Sequence, residues 1–215
     1  LHSKIAIKFT IFLLIIGTIF YYLKETPALP FKYRITTSFF HSVTARTAGF
    51  NVLKVEDFSL SGLIFTIILM FIGASPGGTG GGIKTVTSFI IFSKINHILK
   101  GKEDVIIFKK KINKSYIEKA ITIFFLGISL IICSLFILSL TEVFSLKNLL
   151  FEVVSAFGTV GLSTGITPYF SDAGKIILSI TMLFGRIGPL TVVWALTGEK
   201  KKVKIDYAEE RIIVG

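Results

Sequence analysis

With 215 residues, 52% hydrophobic and 13% aromatic, and a mean hydropathy of +0.75, the chain is far more apolar than a soluble domain of its size. Its formal net charge of +11 does not point to nucleic acid, because eight of the 24 basic residues lie between Lys94 and Lys119 and five follow Gly198, all but Lys94 and Lys119 outside the apolar runs. That placement is the loop bias of a membrane protein facing anionic lipid, and the one cysteine, Cys133, excludes an internal disulfide.

In chain order, Ile5 to Leu23 is a 19-residue run with one charge, Lys8, long enough to cross a hydrocarbon core of about 30 Å as a helix. No small-residue cleavage site follows it, which separates it from a signal peptide, and Tyr21-Tyr22 reads as an interfacial anchor. Phe31 to Arg46 carries Lys32, Arg34, His41 and Arg46 and is too short and polar to span. Read as a helix ending at Thr47, it dips partway into the membrane and returns through Gly49 and Asn51, provided protein or water encloses its unpaired backbone. A surface amphipathic helix with an ordinary turn is the plainer alternative.

Phe58 to Ile72 is an apolar run that stops at Gly73-Ala74-Ser75-Pro76-Gly77-Gly78-Thr79-Gly80-Gly81-Gly82, and Ile83 to Leu99 then resumes the pattern. Six glycines and a proline cannot carry helical hydrogen bonds, so the middle is expected to be a loop at membrane depth lining a cavity, a mobile constriction rather than a passive linker. A phosphate-binding loop is excluded, because Ile83 separates the last glycine from Lys84 and no buried strand precedes it. Gly101 to Lys114 reads as a charged connection, Ile117 to Leu140 as a span, Leu146 to Phe157 as a second short amphipathic helix, and Ala173 to Leu196 as the last span before a basic tail. If the Lys94 to Lys119 loop is cytoplasmic, both termini are too, and both turns that follow the short helices open outward.

Sliding the chain on itself by 112 residues aligns Phe39 with Phe151, Thr47 with Thr159 and Gly49 with Gly161, then runs without a gap to Gly73 and Gly185. Ten identities fall in those 35 positions, above the roughly two to four that composition alone gives. The halves are therefore parallel copies, which counts against the inverted repeats of secondary transporters. The expected organisation is a span-helix-turn-span unit over residues 1–100, a basic linker over 101–116, a second unit over 117–197 and a tail over 198–215. Both turns have the form Thr-x-Gly-apolar-Ser/Asn. Such a turn can aim hydroxyl and carbonyl oxygens inward to replace a small cation's hydration shell, with glycine freeing the backbone angles that this needs.

Among the remaining residues, His41 and Glu152 are expected to pack or to hydrogen-bond a neighbouring loop. Arg46 is expected to brace the back of its turn, and Cys133 and Trp194 to face lipid or pack. Lys84 either joins a constriction or caps the loop. No carboxylate pair, metal-ligand spacing or nucleophile constellation is visible, so neither enzymatic chemistry nor a bound cofactor is expected.

The motifs Thr44 to Asn51, Ser75 to Thr85, Gly158 to Gly165 and Phe184 to Pro189, with the ending Tyr207 to Gly215, resemble the Trk/Ktr/HKT potassium transporters over essentially the whole chain. Subunits of that family string four span-pore-span repeats around one pore, and the chain is most similar to the last two repeats of a bacterial KtrB-type subunit. The resemblance implies an all-α integral membrane protein of two tandem parallel repeats, half of a pseudo-fourfold pore. It implies that Thr47, Ala48, Gly49 and Phe50, and Thr159, Val160, Gly161 and Leu162, offer carbonyl oxygens to potassium as a selectivity filter. It further implies gating by Gly77, Gly78, Thr79, Gly80, Gly81 and Gly82 together with Arg186, whose mid-span charge should face protein or cavity water.

It also implies potassium uptake across the bacterial plasma membrane, sodium dependence in some members, a homodimer, and a cytoplasmic nucleotide-binding ring of the KtrA type. Because the family carries four repeats, the chain is expected to be a fragment that does not conduct alone; two copies supplying four turns is the alternative assembly. A truncated subunit docking on full-length copies, and a small-solute secondary transporter using the glycine break, are the competing functions.

Overall fold

The computed structural model describes residues 1–102, 104–188 and 191. Two apolar helices, α1 (His2–Lys24) and α5 (Lys114–Thr141), are the ones long and apolar enough to cross a membrane among the described residues. At ~1.5 Å per residue they reach ~34 and ~42 Å. Their outer faces are apolar, with Ile11, Phe12, Ile15 and Ile19 exposed on α1 and Phe125, Ile132 and Phe136 on α5. In water that would be a large unsatisfied apolar patch, whereas lipid matches it.

Each long helix opens a unit. The first continues through α2 (Phe31–Thr44), a turn, a 3-10 turn at Val55–Asp57 and α3 (Leu60–Phe71). The second continues through α6 (Leu146–Gly158), a turn, a 3-10 turn at Thr167–Tyr169 and α7 (Asp172–Ile187). The 112-residue shift carries one 3-10 turn onto the other and the N-cap of α3, Ser59, onto that of α7, Ser171. Both serines are held alike. Glu25, the C-cap of α1, accepts from the Ser59 hydroxyl at 2.5 Å and its N–H at 3.2 Å, and Glu142, the C-cap of α5, accepts from the Ser171 hydroxyl at 2.5 Å and its N–H at 3.2 Å. The carboxylate thus sits where the N-terminal half-charge of α3 or α7 favours an anion, and it ties the end of the long helix to the start of the last helix of its unit.

Between the units, α4 (Thr85–Leu99) leads into a hairpin of β1 (Ile106–Ile107) and β2 (Lys110–Lys111). Its turn residues Phe108 and Lys109 have φ of 48° and 62°, the two-residue geometry that matches strand twist. The charged connection expected here thus contains a hairpin that its sequence did not announce. Val105 and Ile107 pack with Ile5, Val86 and Ile117, so the linker is seated on α1, α4 and α5.

Two expectations are corrected. Tyr21 is not an interfacial anchor: it is fully buried, with its hydroxyl 2.8 Å from Thr66 Oγ1. The last helix does not run unbroken from Ala173 to Leu196, because α7 ends at Ile187 with Gly188 at φ 93° ahead of Pro189, which has no N–H to continue the ladder. Pro189 itself, Trp194 and the tail over 198–215 lie outside the described residues.

Candidate functional site

The two turns meet. Thr47, three residues beyond α2, and Thr159, the C-cap of α6, lie in the left-handed region, with φ of 71° and 51°, and Gly49 and Gly161 follow at 78° and 89°. A non-glycine residue at positive φ is uncommon, and its recurrence at equivalent positions marks a backbone shape held by its surroundings. Gly49 and Gly161 face one another: a Cβ on Gly161 would lie 3.5 Å from Gly49 Cα, and one on Gly49 would collide with the Val160 carbonyl oxygen.

Each turn is pinned from behind by its own helix. The Thr44 hydroxyl donates to the Phe50 carbonyl, and the Ser155 hydroxyl donates to the Leu162 carbonyl at 2.5 Å. Among the sequence-predicted carbonyls, the last of each set is therefore engaged by a hydroxyl, unlike those of Thr47 to Gly49 and Thr159 to Gly161, for which no side-chain donor is found among the described residues. The outgoing limbs are held by an imidazole in one unit and a carboxylate in the other. His41 Nε2 accepts from Leu53 N–H at 3.0 Å, and Glu152 accepts from Thr164 N–H at 2.7 Å and from nearby hydroxyls. Both residues do what their place on the short helices suggested, hydrogen-bonding a neighbouring loop.

The glycine-rich segment packs against both turns. It is closed at its neck by Gly73 N–H to Ile83 O (2.9 Å) and Ile83 N–H to Phe71 O (3.0 Å). Beyond the neck, Gly81 N–H donates to Thr159 Oγ1 at 2.7 Å and Gly82 N–H to Phe157 O at 3.2 Å. A Cβ on Gly80 would lie 2.7 Å from Thr47 Oγ1, and one on Gly81 would lie 2.8 Å from Thr159 Cγ2. The absence of side chains therefore lets this loop close against the first residue of each turn. Non-helical backbone here finds protein partners, the condition under which a membrane tolerates it.

Cations gather on this loop. Lys84 caps it, its ammonium donating to the carbonyls of Gly78 (3.4 Å) and Gly80. Arg46 donates to Gly73 O at 3.1 Å, and its Nη1 is buried without a partner among the described residues; it lies at the neck of the loop, behind turn one. Arg186 is exposed on α7, near enough to Lys84 for the two charges to repel, and it lines a cavity of about 580 Å³ that also takes in Thr159 to Ser163 and Glu152. Gly77 and Thr79 are exposed at the loop tip. Cys133 is exposed on α5.

Ser155, Thr44 and the Glu25 and Glu142 clasps were not singled out from sequence. The paired identities Ser59/Ser171 and Gly62/Gly174 carried that signal, since both glycines leave room for the clasping carboxylates.

These features define a class: a helical membrane protein whose irregular backbone at paired glycine turns is tied back to its own short helices. The sequence matches the TrkH family of cation transport proteins over residues 4–202, and the chain belongs to that family, which is one of transporters rather than enzymes. It is similar to the potassium/sodium uptake protein NtpJ of Enterococcus hirae, at 38% identity over all of this chain and 50% of that protein. It is also similar to the Ktr system potassium uptake protein B of Vibrio alginolyticus, at 36% identity over all of this chain and 48% of that protein. The chain thus spans about half the length of the curated relatives it matches. The solved potassium transporter TrkH from Vibrio parahaemolyticus shares its fold, with a TM-score of 0.76 over 91% of this chain and 45% of that one at 19% identity.

Proposed function

We propose that the chain forms two adjacent walls of a potassium pathway through the bacterial plasma membrane. The carbonyls of Thr47 to Phe50 and Thr159 to Leu162 face the ion, those of Phe50 and Leu162 more weakly because each already accepts from a hydroxyl. One observation carries the reading: two turns of the same left-handed shape, 112 residues apart, face each other at Gly49 and Gly161 while Gly80 and Gly81 pack against the threonines that begin them. Backbone oxygens converging on a narrow axis can replace a hydration shell, and a glycine-rich loop across that axis can block or clear it. Gly77 to Gly82 form that gate. Arg186 raises the barrier to a cation from the cavity wall.

The contact of α3 with α6 supports a ring. In a cyclic array every short helix has the second span of the preceding unit beside it, so a further unit belongs against α2, and two more repeats complete the pore. By the same family reading, both termini are cytoplasmic, the transporter is a homodimer on a KtrA-type nucleotide-binding ring, and sodium accompanies or stimulates potassium uptake, as the name of the Enterococcus relative suggests. The test is potassium uptake by cells lacking their own uptake systems and expressing the complete transporter. Gly161→Ser should lower the preference for potassium over sodium, whereas an unchanged preference would oppose the filter assignment.

A further inference from the structure

Glu152 has a place in this molecule that neither the turn nor the gate accounts for. It lies on α6, is 5% exposed, and lines the same cavity as Thr159 to Ser163. Its Oε1 accepts from Thr164 N–H at 2.7 Å, Thr164 Oγ1 at 2.9 Å and Ser163 Oγ at 2.9 Å, and its Oε2 accepts from Thr167 Oγ1 at 2.8 Å. Among the described residues the ion pairs are Lys54–Glu56, Lys111–Asp104 and Lys175–Asp172, so this buried carboxylate is satisfied by hydrogen bonds rather than by a cation. Desolvating a carboxylate is costly, and neutral donors compensate only when all of them converge. That convergence fixes three residues, Ser163, Thr164 and Thr167, in the limb that leaves the second turn. On the residue just before these, Ser155 holds the Leu162 carbonyl. The Thr159 to Leu162 backbone therefore runs from the end of α6 to a limb that two side chains one helical turn apart on that helix, Ser155 and Glu152, hold back against it.

We propose that Glu152 is a positioning residue for ion selection: it sets the spacing of the second turn's carbonyls from behind, through its hydrogen bonds and not through its charge. The proposal rests on the reading of that turn as a wall of the ion pathway. A fixed negative charge beside a cation path is the rival role, and chemistry separates the two. In Glu152→Gln the amide oxygen can keep the three donors now at Oε1. The amide nitrogen can donate to Thr167 Oγ1, whose own hydrogen then turns to Ser163 Oγ, 2.9 Å away. The network survives and the charge is gone. In Glu152→Ala both are lost.

The experiment measures initial rates of potassium and sodium uptake by the complete transporter in cells lacking their own potassium uptake, normalised to transporter in the membrane. Glu152→Gln should keep the KM for potassium and the preference over sodium within about twofold, and Glu152→Ala should lower that preference about tenfold and raise the KM more than it lowers the maximal rate. Should Glu152→Ala fail to reach the membrane, the double variant Ser163→Ala, Thr167→Val decides, because it removes two of the donors while leaving the carboxylate: a lowered preference supports the proposal, and wild-type preference overturns it. Equal loss in Glu152→Gln and Glu152→Ala would overturn it in favour of the charge, as would wild-type selectivity in a well-inserted Glu152→Ala. Gly161→Ser is assayed alongside. If that variant also leaves selectivity untouched, the filter reading itself has failed rather than the role of Glu152.

Discussion

The same phenylalanine occupies equivalent positions in the two units and has opposite fates. Phe151 on α6 is fully buried, while Phe39 on α2, 112 residues earlier, is 52% exposed. The difference follows from neighbours, not from the helices themselves. α6 is enclosed by α3, α5 and α7, and a continuous run from Phe151 to Gly158 is buried, whereas α2 packs chiefly on α1 and buries only the face that carries Thr37, Ser38, His41, Ser42 and Thr44. Bracing differs in parallel: His41 contributes one acceptor to its turn, where Glu152 gathers a backbone N–H and three hydroxyls. What stays constant is the backbone, namely the left-handed threonine, the positive-φ glycine, the 3-10 turn and the glutamate clasp. The repeat conserves the shape of the turn and lets its support vary with what surrounds it.

The comparison can be broken most severely at Gly73 and Gly185. A Cβ at either would fall on a carbonyl oxygen, that of Gly81 or of Phe157. Because backbone and not a flexible side chain must give way, alanine should cost about 3 kcal/mol or more at each, seen as loss of inserted, detergent-stable protein. Next come the turn glycines, each strained by about 1–3 kcal/mol when given a side chain at positive φ. Gly49→Ser should be worse than Gly161→Ser, since only at Gly49 would the new Cβ also collide with the Val160 carbonyl. Potassium-over-sodium preference in uptake assays checks the order, and the reverse order would mean that the turns are not seated as described.

A smaller effect tests the bracing. His41→Ala leaves the Leu53 N–H without its acceptor, a loss of about 1–3 kcal/mol, so melting of the purified transporter should fall less than for Glu152→Ala. Smaller again, Ser59→Ala and Ser171→Ala should each cost about 1 kcal/mol, and equally, because the two clasps share their geometry; unequal losses would show that the units are not alike at that edge.

The smallest is Asp104, whose carboxyl is held below the usual carboxylate range first by the hydrogen bond from Lys111. A depressed acid stabilises the fold above its unfolded-state value of about 3.9 and loses that contribution as pH falls further. Since the group is partly exposed, Asp104→Asn should lower the melting temperature barely at neutral pH, and the difference should shrink as pH falls below about 4.

Much of this was legible in the sequence because it is local or repeated. The lengths of α1 and α5, the short helices and the glycine break follow from uninterrupted apolar runs and from glycines that cannot hold a helix. The turns emerged because a 112-residue shift superposes Thr47 on Thr159. Glu152 offered no such signal: its donors are on its own loop, but their convergence depends on how that loop folds back. The hairpin at Ile106 to Lys111 was hidden because its turn uses Phe108 and Lys109 where Asn-Gly would have announced it. The Gly188 break lay inside a run whose hydropathy continued past it, and Thr159 to Gly81, 78 residues apart, joins elements that no spacing rule connects.

The most direct test of the central claim is anomalous scattering from rubidium, a potassium surrogate, in crystals of the complete transporter. The account predicts a peak on the axis between Gly49 and Gly161, within coordination distance of backbone oxygens from both turns. A well-ordered structure with rubidium bound elsewhere and none between the two turns would contradict it.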